Sequence, residues 1–304
     1  NQAFSLLNFR GLLIEDIARR GHSIIAMAPD YSDDVKAAIR TLGAEPFDIS
    51  LSRTGMNPFR DAADTIRLAI ILRRLKPDIT FGYAIKPAIY GTLAAWLAQV
   101  PRRFAMIEGL GYVFTSSEGI EPFKRLALRG VVKILYGAAL KHANLVFFLN
   151  KDDLEEFSKK RLVPPEKAFL LGGIGVDLDY WSPKPPLLKP VTFLLAARLL
   201  REKGVIEYAQ AALIIKQKHP DTRFILLGGL DTNPGGLSQS EVQRWVAEGI
   251  LECPGHVQDM RFWLAQTSVY VLPSYREGVP RSTQEAMAMA RPVVASSACA
   301  GPIA

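Results

Sequence analysis

Two rhythms of apolar and polar residues alternate along this chain. Apolar positions at helical spacing over Phe9–Arg20, closed by Gly21, predict a helix. Ser23–Ala28, a short apolar run stopped by Pro29-Asp30, predicts a strand. The pattern then predicts helices over Asp33–Leu42, Pro58–Leu75, Ile89–Gln99 and Phe123–His142, and strands over Ile79–Phe81, Arg103–Ile107 and Leu145–Leu149. Continuous apolar strands separated by helices imply a parallel sheet covered on both faces. Pro164–Pro190, with Pro183, Pro185 and Pro186, breaks the rhythm and reads as a linker. A second series follows: strands Val191–Ala196, Arg223–Leu227, Val269–Leu272 and Pro292–Ala295, with helices Gly204–His219, Ser240–Glu248 and Ser282–Ala290. The expected fold class is α/β, with two Rossmann-like domains, 1–184 and 185–304. A doubly wound unit ordinarily opens on a central strand, whereas this chain opens on a helix. A strand before Asn1 is therefore expected to be missing, and the stop at CAGPIA, without a terminating helix or polar tail, reads as a second truncation.

Length and composition agree with two domains. The 304 residues are 49% hydrophobic and 22% charged, enough apolar material for real cores and unlike a disordered chain. The longest apolar stretches, such as Ala88–Ala98, are shorter than the roughly 20 residues that span a bilayer. With Cys253 and Cys299 as the only cysteines, a disulfide framework is excluded and a reduced, cytoplasmic setting is expected. The net charge of +7 admits nucleic acid, anionic lipid or phosphorylated small molecules as partners. Basic residues are dispersed rather than interleaved with aromatics, so no nucleic-acid partner is expected.

Several motifs fail. No P-loop string is present, and Gly109-Leu-Gly111 and Gly173-Ile-Gly175 each lack the third glycine of a dinucleotide fingerprint. Asp177-Leu-Asp179 has the form of a divalent-ion string but lies in the linker, and the four histidines show no ligand spacing, so neither a metal nor another cofactor is expected. The informative stretch is Val269–Ser296, VYVLPSYREGVPRSTQEAMAMARPVVAS. A buried strand there delivers a turn-rich loop, Pro273–Arg281, and then a helix, which places Glu277 at the carboxyl end of a strand, where open α/β sheets bind ligands. Glu285 follows eight positions later, and free amides over Ser282–Glu285 would suit a diphosphate. The spacing Ser282-x-x-Glu285 equally fits a capping box, and Glu277 equally fits a solvated loop carboxylate.

The whole string closely resembles the signature of the retaining glycosyltransferases of family 4, which have the GT-B fold of two domains facing a cleft. That pattern is EG-x-P-x-x-x-x-EAMA-x-G-x-PV-x-A; here Ala290 replaces the second glycine. The resemblance implies that Glu277 contacts the transferred sugar as a catalytic residue, that Glu285 binds the nucleotide ribose, and that the loop Gly278, Val279, Pro280, Arg281 and Ser282 lines the donor site. In VTFLLAARLLREKGV (Val191–Val205), it implies that Arg198 and Lys203 grip the donor diphosphate, a task that needs fixed cations when no metal assists. Gly228, beside Gly229, reads either as a close backbone approach to the donor or as a tight turn. The segments FGYAIKPAIYGTLAAW, IEGLGYVFT, FFLNKDDLEEF and GIGVDLDYWSP are similar to a bacterial subgroup that builds lipopolysaccharide, capsule and N-glycan precursors on undecaprenyl diphosphate, including the N-acetylgalactosaminyltransferase type. Glu108 stands where that subgroup more often has a small polar residue. Lys86, as a further catalytic candidate, and the Gly109-Leu-Gly111 turn are the acceptor-side expectations, facing a phosphate or a sugar hydroxyl.

The expected reaction moves a hexose or N-acetylhexosamine from a UDP-sugar to a polyprenyl-diphosphate-linked glycan. The alternatives are a sugar-nucleotide epimerase of the same fold and an inactive membrane-associated scaffold. Arg125, Arg129 and Lys133 share one face of a helix with Leu, Val and Ile on the other. Such a helix either packs on its own sheet or docks on an anionic membrane surface, the inner face of the cell membrane. Residues 1–184 hold 25 basic against 20 acidic side chains, and 185–304 hold 12 against 10.

Overall fold

In the computed structural model the described residues are 2–51, 57–109, 123–231, 233 and 235–297, with 123–128 described for their backbone only. They form two units, 1–171 and 172–304. The first begins with α1 (Ala3–Arg19), β1 (Ile24–Ala28), α2 (Asp33–Thr41), β2 (Ala44–Asp48) and α3 (Pro58–Leu75). It continues through β3 (Ile79–Tyr83), α4 (Thr92–Leu97), β4 (Arg102–Ile107), α5 (Phe123–Leu140), β5 (Leu145–Phe148), α6 (Lys151–Lys159) and β6 (Ala168–Leu170). All its strand pairs are parallel; β1 pairs with β2, and β3-β4-β5-β6 form a second sheet.

Local chemistry sets these boundaries. Asn57 accepts hydrogen bonds from the amides of Phe59 and Arg60, Pro58 supplies a preset first helical residue, and Lys76 closes α3 in the left-handed region. Asn150 caps α6 through the Asp153 amide. Strands β2 and β6 and helix α6 go beyond the elements the apolar pattern predicts: β2 reads AEPFD, with Pro46 inside it, and α6 is mostly charged.

The second unit contains β7 (Thr192–Ala196), α7 (Val205–Lys218), β8 (Arg223–Leu227), α8 (Gln239–Ala247), β9 (Glu252–Gly255), α9 (Met260–Ala265), β10 (Val269–Leu272), α10 (Arg281–Ala288) and β11 (Val293–Ala295). One parallel sheet runs in the order β11-β10-β7-β8-β9. Successive side chains leave opposite faces of each strand. Leu195, Phe224 and Leu226 join Tyr208, Ala212 and Trp245 on one side, while Leu194, Ile225, Leu227 and Tyr270 join Leu264, Ala286 and Met289 on the other.

The sequence places the join at 184/185; the units divide at Leu171/Gly172. Three anchors account for this position. Trp181 is buried in the second core, the Ser268 hydroxyl donates to the Leu187 carbonyl, and the buried Arg291 guanidinium donates to the carbonyls of Lys184, Thr267 and Met289. Asp177 turns its own backbone, accepting from the amides of Asp179 and Tyr180 at 2.9 and 3.1 Å.

Candidate active site

Strand β7 lies at the centre of its sheet, and the chain goes from it first to β8 and β9 on one side and then to β10 and β11 on the other. The carboxyl ends of β7 and β10 therefore flank a topological switch point, the place where open α/β sheets bind ligands. The loops leaving these two strands carry Arg198, Lys203 and Glu277.

Backbone geometry clasps the loops together. Gly204 adopts φ +69, and a Cβ there would stand 2.2 Å from the Pro273 carbonyl oxygen, so only glycine lets the β7 loop approach the β10 loop so closely. The Tyr275 amide donates to the Glu202 carbonyl at 3.0 Å, and the Tyr275 hydroxyl donates to Glu207 at 2.6 Å. This clasp brings Lys203 Nζ to 2.6 Å from Glu277 Oε1, with both side chains largely buried. Arg198 is half-exposed and reaches the β8 loop instead, with Nη1 2.9 Å from Asp231 Oδ2. Gly228 adopts φ +145 in that loop, and a Cβ would meet the Ala197 carbonyl oxygen at 1.8 Å. The close backbone approach seen at Gly228 is to Ala197 of the neighbouring β7 loop.

Glu285 lies on α10, where its carboxylate accepts from Arg281 Nε at 3.0 Å. Burial pushes the Glu285 carboxyl above its ordinary value, and Arg281 opposes that shift without cancelling it. The capping box does not form. Pro280 is the N-cap, with no side-chain cap bond, and α10 starts at Arg281. The Ser282 hydroxyl accepts from the buried Tyr270 hydroxyl at 2.7 Å. The amides expected to be free are partly engaged, since those of Thr283 and Gln284 donate to the Pro280 carbonyl. A true capping box occurs at Ser238–Glu241. The remaining loop positions, Gly278 and Val279, precede Pro280 on the β10 connection.

In the first unit, Lys86 is buried with Nζ 2.6 Å from Asp61 Oδ1. Its ammonium therefore faces a buried carboxylate on α3. Tyr90 sits beside the same carboxylate, and burial reinforced by Asp61 pushes its hydroxyl up to about 12. Lys86 leads into a π-helical turn over Pro87–Gly91. Gly82 permits that turn to fold back, because a Cβ there would meet the Pro87 carbonyl oxygen at 2.6 Å. Gly109 follows β4 with φ +146; Gly111 lies outside the described residues. Glu108 pairs with the buried Arg10 of α1.

The apolar pattern passes over Arg10 and Asp61. Their signal is a charge on the buried stripe of an amphipathic helix. Arg10 shares its stripe with Ala3, Leu6 and Ile14, and Asp61 shares its own with Thr65, Leu68 and Leu72. Among the described residues no group of three or more His, Cys, Asp or Glu side chains is arranged to hold a metal ion.

Two parallel α/β units, one with acid and base gathered at its switch point, define the class: a glycosyltransferase of GT-B fold. Residues 190–304 match the family profile "Glycosyl transferases group 1" and residues 3–150 match "Glycosyl transferase 4-like". The N,N'-diacetylbacillosaminyl-diphospho-undecaprenol α-1,3-N-acetylgalactosaminyltransferase of Campylobacter jejuni is 30% identical, over 98% of this chain and 78% of its own. The UDP-Gal:α-D-GlcNAc-diphosphoundecaprenol α-1,3-galactosyltransferase of Escherichia coli is 27% identical, over 88% and 68%. In fold, HepE of Anabaena, solved with UDP and glucose, superposes with a TM-score of 0.71 at 16% identity, covering 96% of this chain and 78% of that one. WaaG, a glycosyltransferase involved in lipopolysaccharide biosynthesis, gives 0.69 at 13% identity over the same shares. The chain belongs to the bacterial family 4 glycosyltransferases.

Proposed function

We propose that this enzyme transfers a hexose or N-acetylhexosamine from a UDP-sugar to a polyprenyl-diphosphate-linked glycan, with retention at the anomeric carbon and without a metal. The observation that carries the reading is the pairing of Lys203 with Glu277 at the switch point. A cation and an acid from different strands are held together there, as a donor with both phosphates and sugar hydroxyls requires. On donor binding Lys203 turns to the diphosphate, which releases the Glu277 carboxylate to the sugar hydroxyls. Arg198 adds a second cation, Glu285 takes the ribose hydroxyls, and the Gly278–Ser282 loop lines the sugar and phosphates. The acceptor hydroxyl oxygen bonds to the anomeric carbon on the face from which the phosphate oxygen leaves. Its proton passes to that departing oxygen, yielding UDP. Fixed positive charge stabilises the leaving diphosphate as the bond breaks. In the first unit Lys86, bound to Asp61, fixes the π-helical turn on the acceptor side, and Gly109 turns the chain after β4.

The relatives' acceptors are undecaprenyl-diphosphate-linked, which supports a lipid-borne acceptor reached from the inner face of the membrane. No helix among the described residues is long and apolar enough to cross a membrane. On α5 Val131 and Ile134 are 54% and 73% exposed, while Arg129 and Lys133 on the same helix are half-buried. Exposed apolar tips on a helix that also carries basic residues suit the interface of an anionic bilayer.

The test is product formation with UDP-Gal, UDP-Glc, UDP-GalNAc and UDP-GlcNAc as donors and undecaprenyl-diphospho-GlcNAc or -diacetylbacillosamine as acceptor. One pairing yields an extended lipid-linked glycan, and Glu277→Ala abolishes it while leaving circular dichroism unchanged. Full activity of the Ala variant overturns the assignment of Glu277. Conversion of the donor with no acceptor present points instead to an epimerase.

A further inference from the structure

The carboxyl ends of β3 and β4 hold a charge cluster that the donor chemistry leaves unused. Arg10 is buried on the inner stripe of α1. Its guanidinium carbon lies 4.4 Å from the centre of the Tyr83 ring, at the end of β3. Nη1 donates to the Phe9 carbonyl at 2.8 Å, and Nη2 faces Met106 Sδ at 3.5 Å and pairs with Glu108 Oε1. Nε has no partner among the described residues. Glu108 directly follows β4 and is partly exposed, so the pair has one sealed end and one open end.

This arrangement is expensive to keep for packing alone. A guanidinium taken out of water loses several kcal/mol of hydration, and a single partly exposed carboxylate returns only part of it. The arrangement does fix Glu108: one carboxylate oxygen is anchored by the guanidinium, and the residue is partly exposed just past the carboxyl end of a parallel strand, where ligands bind. A carboxylate at pH 7 accepts hydrogen bonds only. It repels a diphosphate and suits the hydroxyls of a neutral sugar. Arg10 is enclosed and already engaged, which leaves it unsuited to phosphate.

We propose that Glu108 accepts a hydrogen bond from a hydroxyl of the acceptor's terminal sugar, that Arg10 is its positioning residue, and that the pair selects among acceptor glycans. This rests on the transfer proposed above and resolves the acceptor-side alternatives at this strand end: a sugar hydroxyl, with the phosphate held elsewhere.

The experiment measures transfer kinetics for wild type, Glu108→Gln, Glu108→Ser, Arg10→Lys and Arg10→Met with the two lipid-linked acceptors. A hydrogen bond to a charged group is worth enough that Glu108→Gln should raise the acceptor KM roughly tenfold or more. The donor KM, the UDP-induced thermal shift and any acceptor-independent release of UDP should stay at wild-type values. Arg10→Lys, which keeps the charge, should recover most of the acceptor affinity that Arg10→Met loses. Glu108→Gln keeps the shape of the side chain and an acceptor for Arg10, so it remains informative if the Ser or Met variant fails to fold. An acceptor KM within twofold of wild type in Glu108→Gln overturns the inference, and so does an equal rise in donor and acceptor KM, the mark of a loosened sheet. If wild type itself extends neither acceptor, the transfer reading falls and this inference with it; wild-type transfer with an indifferent Glu108→Gln sinks only the inference.

Discussion

The Lys203–Glu277 pair yields the most exacting prediction, because it ties stability to activity through one contact of known geometry. The charges are 2.6 Å apart, with side chains 17% and 15% exposed. At an effective dielectric near 20 the gross attraction is about 6 kcal/mol, and desolvation of both ions cancels much of it. Lys203→Met leaves the carboxylate with its desolvation cost and without its cation. For fully buried pairs that change costs about 3–5 kcal/mol, and the residual water here lowers the expectation to about 2–3 kcal/mol. For a unit of this size that corresponds to a fall in Tm of roughly 6–12 °C. Glu277→Gln retains a hydrogen-bond acceptor for Lys203 and should cost about 1 kcal/mol. In the double-mutant cycle the coupling should be about 1–2 kcal/mol. Urea denaturation of the four proteins measures the coupling, and steady-state transfer measures activity. Lys203→Met should lower kcat by about 10²- to 10³-fold through lost stabilisation of the leaving diphosphate. Glu277→Gln should lose activity as severely at a far smaller cost in stability. Coupling below about 0.5 kcal/mol would refute the reasoning, because the two loops would not be clasped in solution and the switch-point site would lose its basis.

Two further outcomes follow from single positions. Burial raises the Glu285 carboxyl above its ordinary 4.5, so the folded state binds a proton more readily than the unfolded one, and the acid's contribution to stability falls as pH rises from 4.5 through the raised value. Glu285→Gln should therefore melt above wild type at pH 7, converge with it below pH 4.5, and bind UDP-sugar more weakly; equal melting at both pH values contradicts this. Gly228→Ala places a Cβ 1.8 Å from the Ala197 carbonyl at φ +145 and should cost about 3 kcal/mol or more in a urea titration, with donor binding lost alongside. A stable, active Ala variant would show that the β7 and β8 loops have room to part.

The alternation of helix and strand was readable because buried parallel strands are continuously apolar, and β7, β8 and β10 are of this kind. Some of the elements that escaped have little apolar content, and two others, β6 (AFL) and α9 (MRFWLA), are apolar but too short to show a period. β2 contains a proline, β9 reads ECPG, and α6 is held by its Asn150 cap rather than by an apolar stripe. At α10 the motif and the cap were confounded. Ser282-x-x-Glu285 satisfies the spacing of a capping box, yet Tyr270 claims the serine hydroxyl and Arg281 claims the carboxylate, and the N-cap falls two residues earlier, at Pro280. The distinction between Ser238–Glu241, which caps, and Ser282–Glu285, which does not, depends on a tyrosine from a neighbouring strand. Spacing along the chain carries no record of it.

The two halves of the site differ in legibility for a physical reason. Three of the residues proposed for the donor side sit on connections that follow a strand, with Glu285 on the helix beyond, so position along the chain gives position at the switch point. Arg198, Lys203 and Glu277 all fall into place by that rule. On the acceptor side the informative contacts join residues far apart in sequence: Arg10 to Glu108 and Asp61 to Lys86. Each pair places one charge on the inner stripe of a helix, where it persists only with its counter-charge nearby. Neither member is then free to change alone. A small polar residue in place of Glu108 would strand a guanidinium whose Nε has no partner among the described residues, so on the proposed reading a change of acceptor preference at this strand end requires position 10 to change as well. On the reading proposed above, acceptor choice rests on Glu108 and on the buried cation that holds it in place.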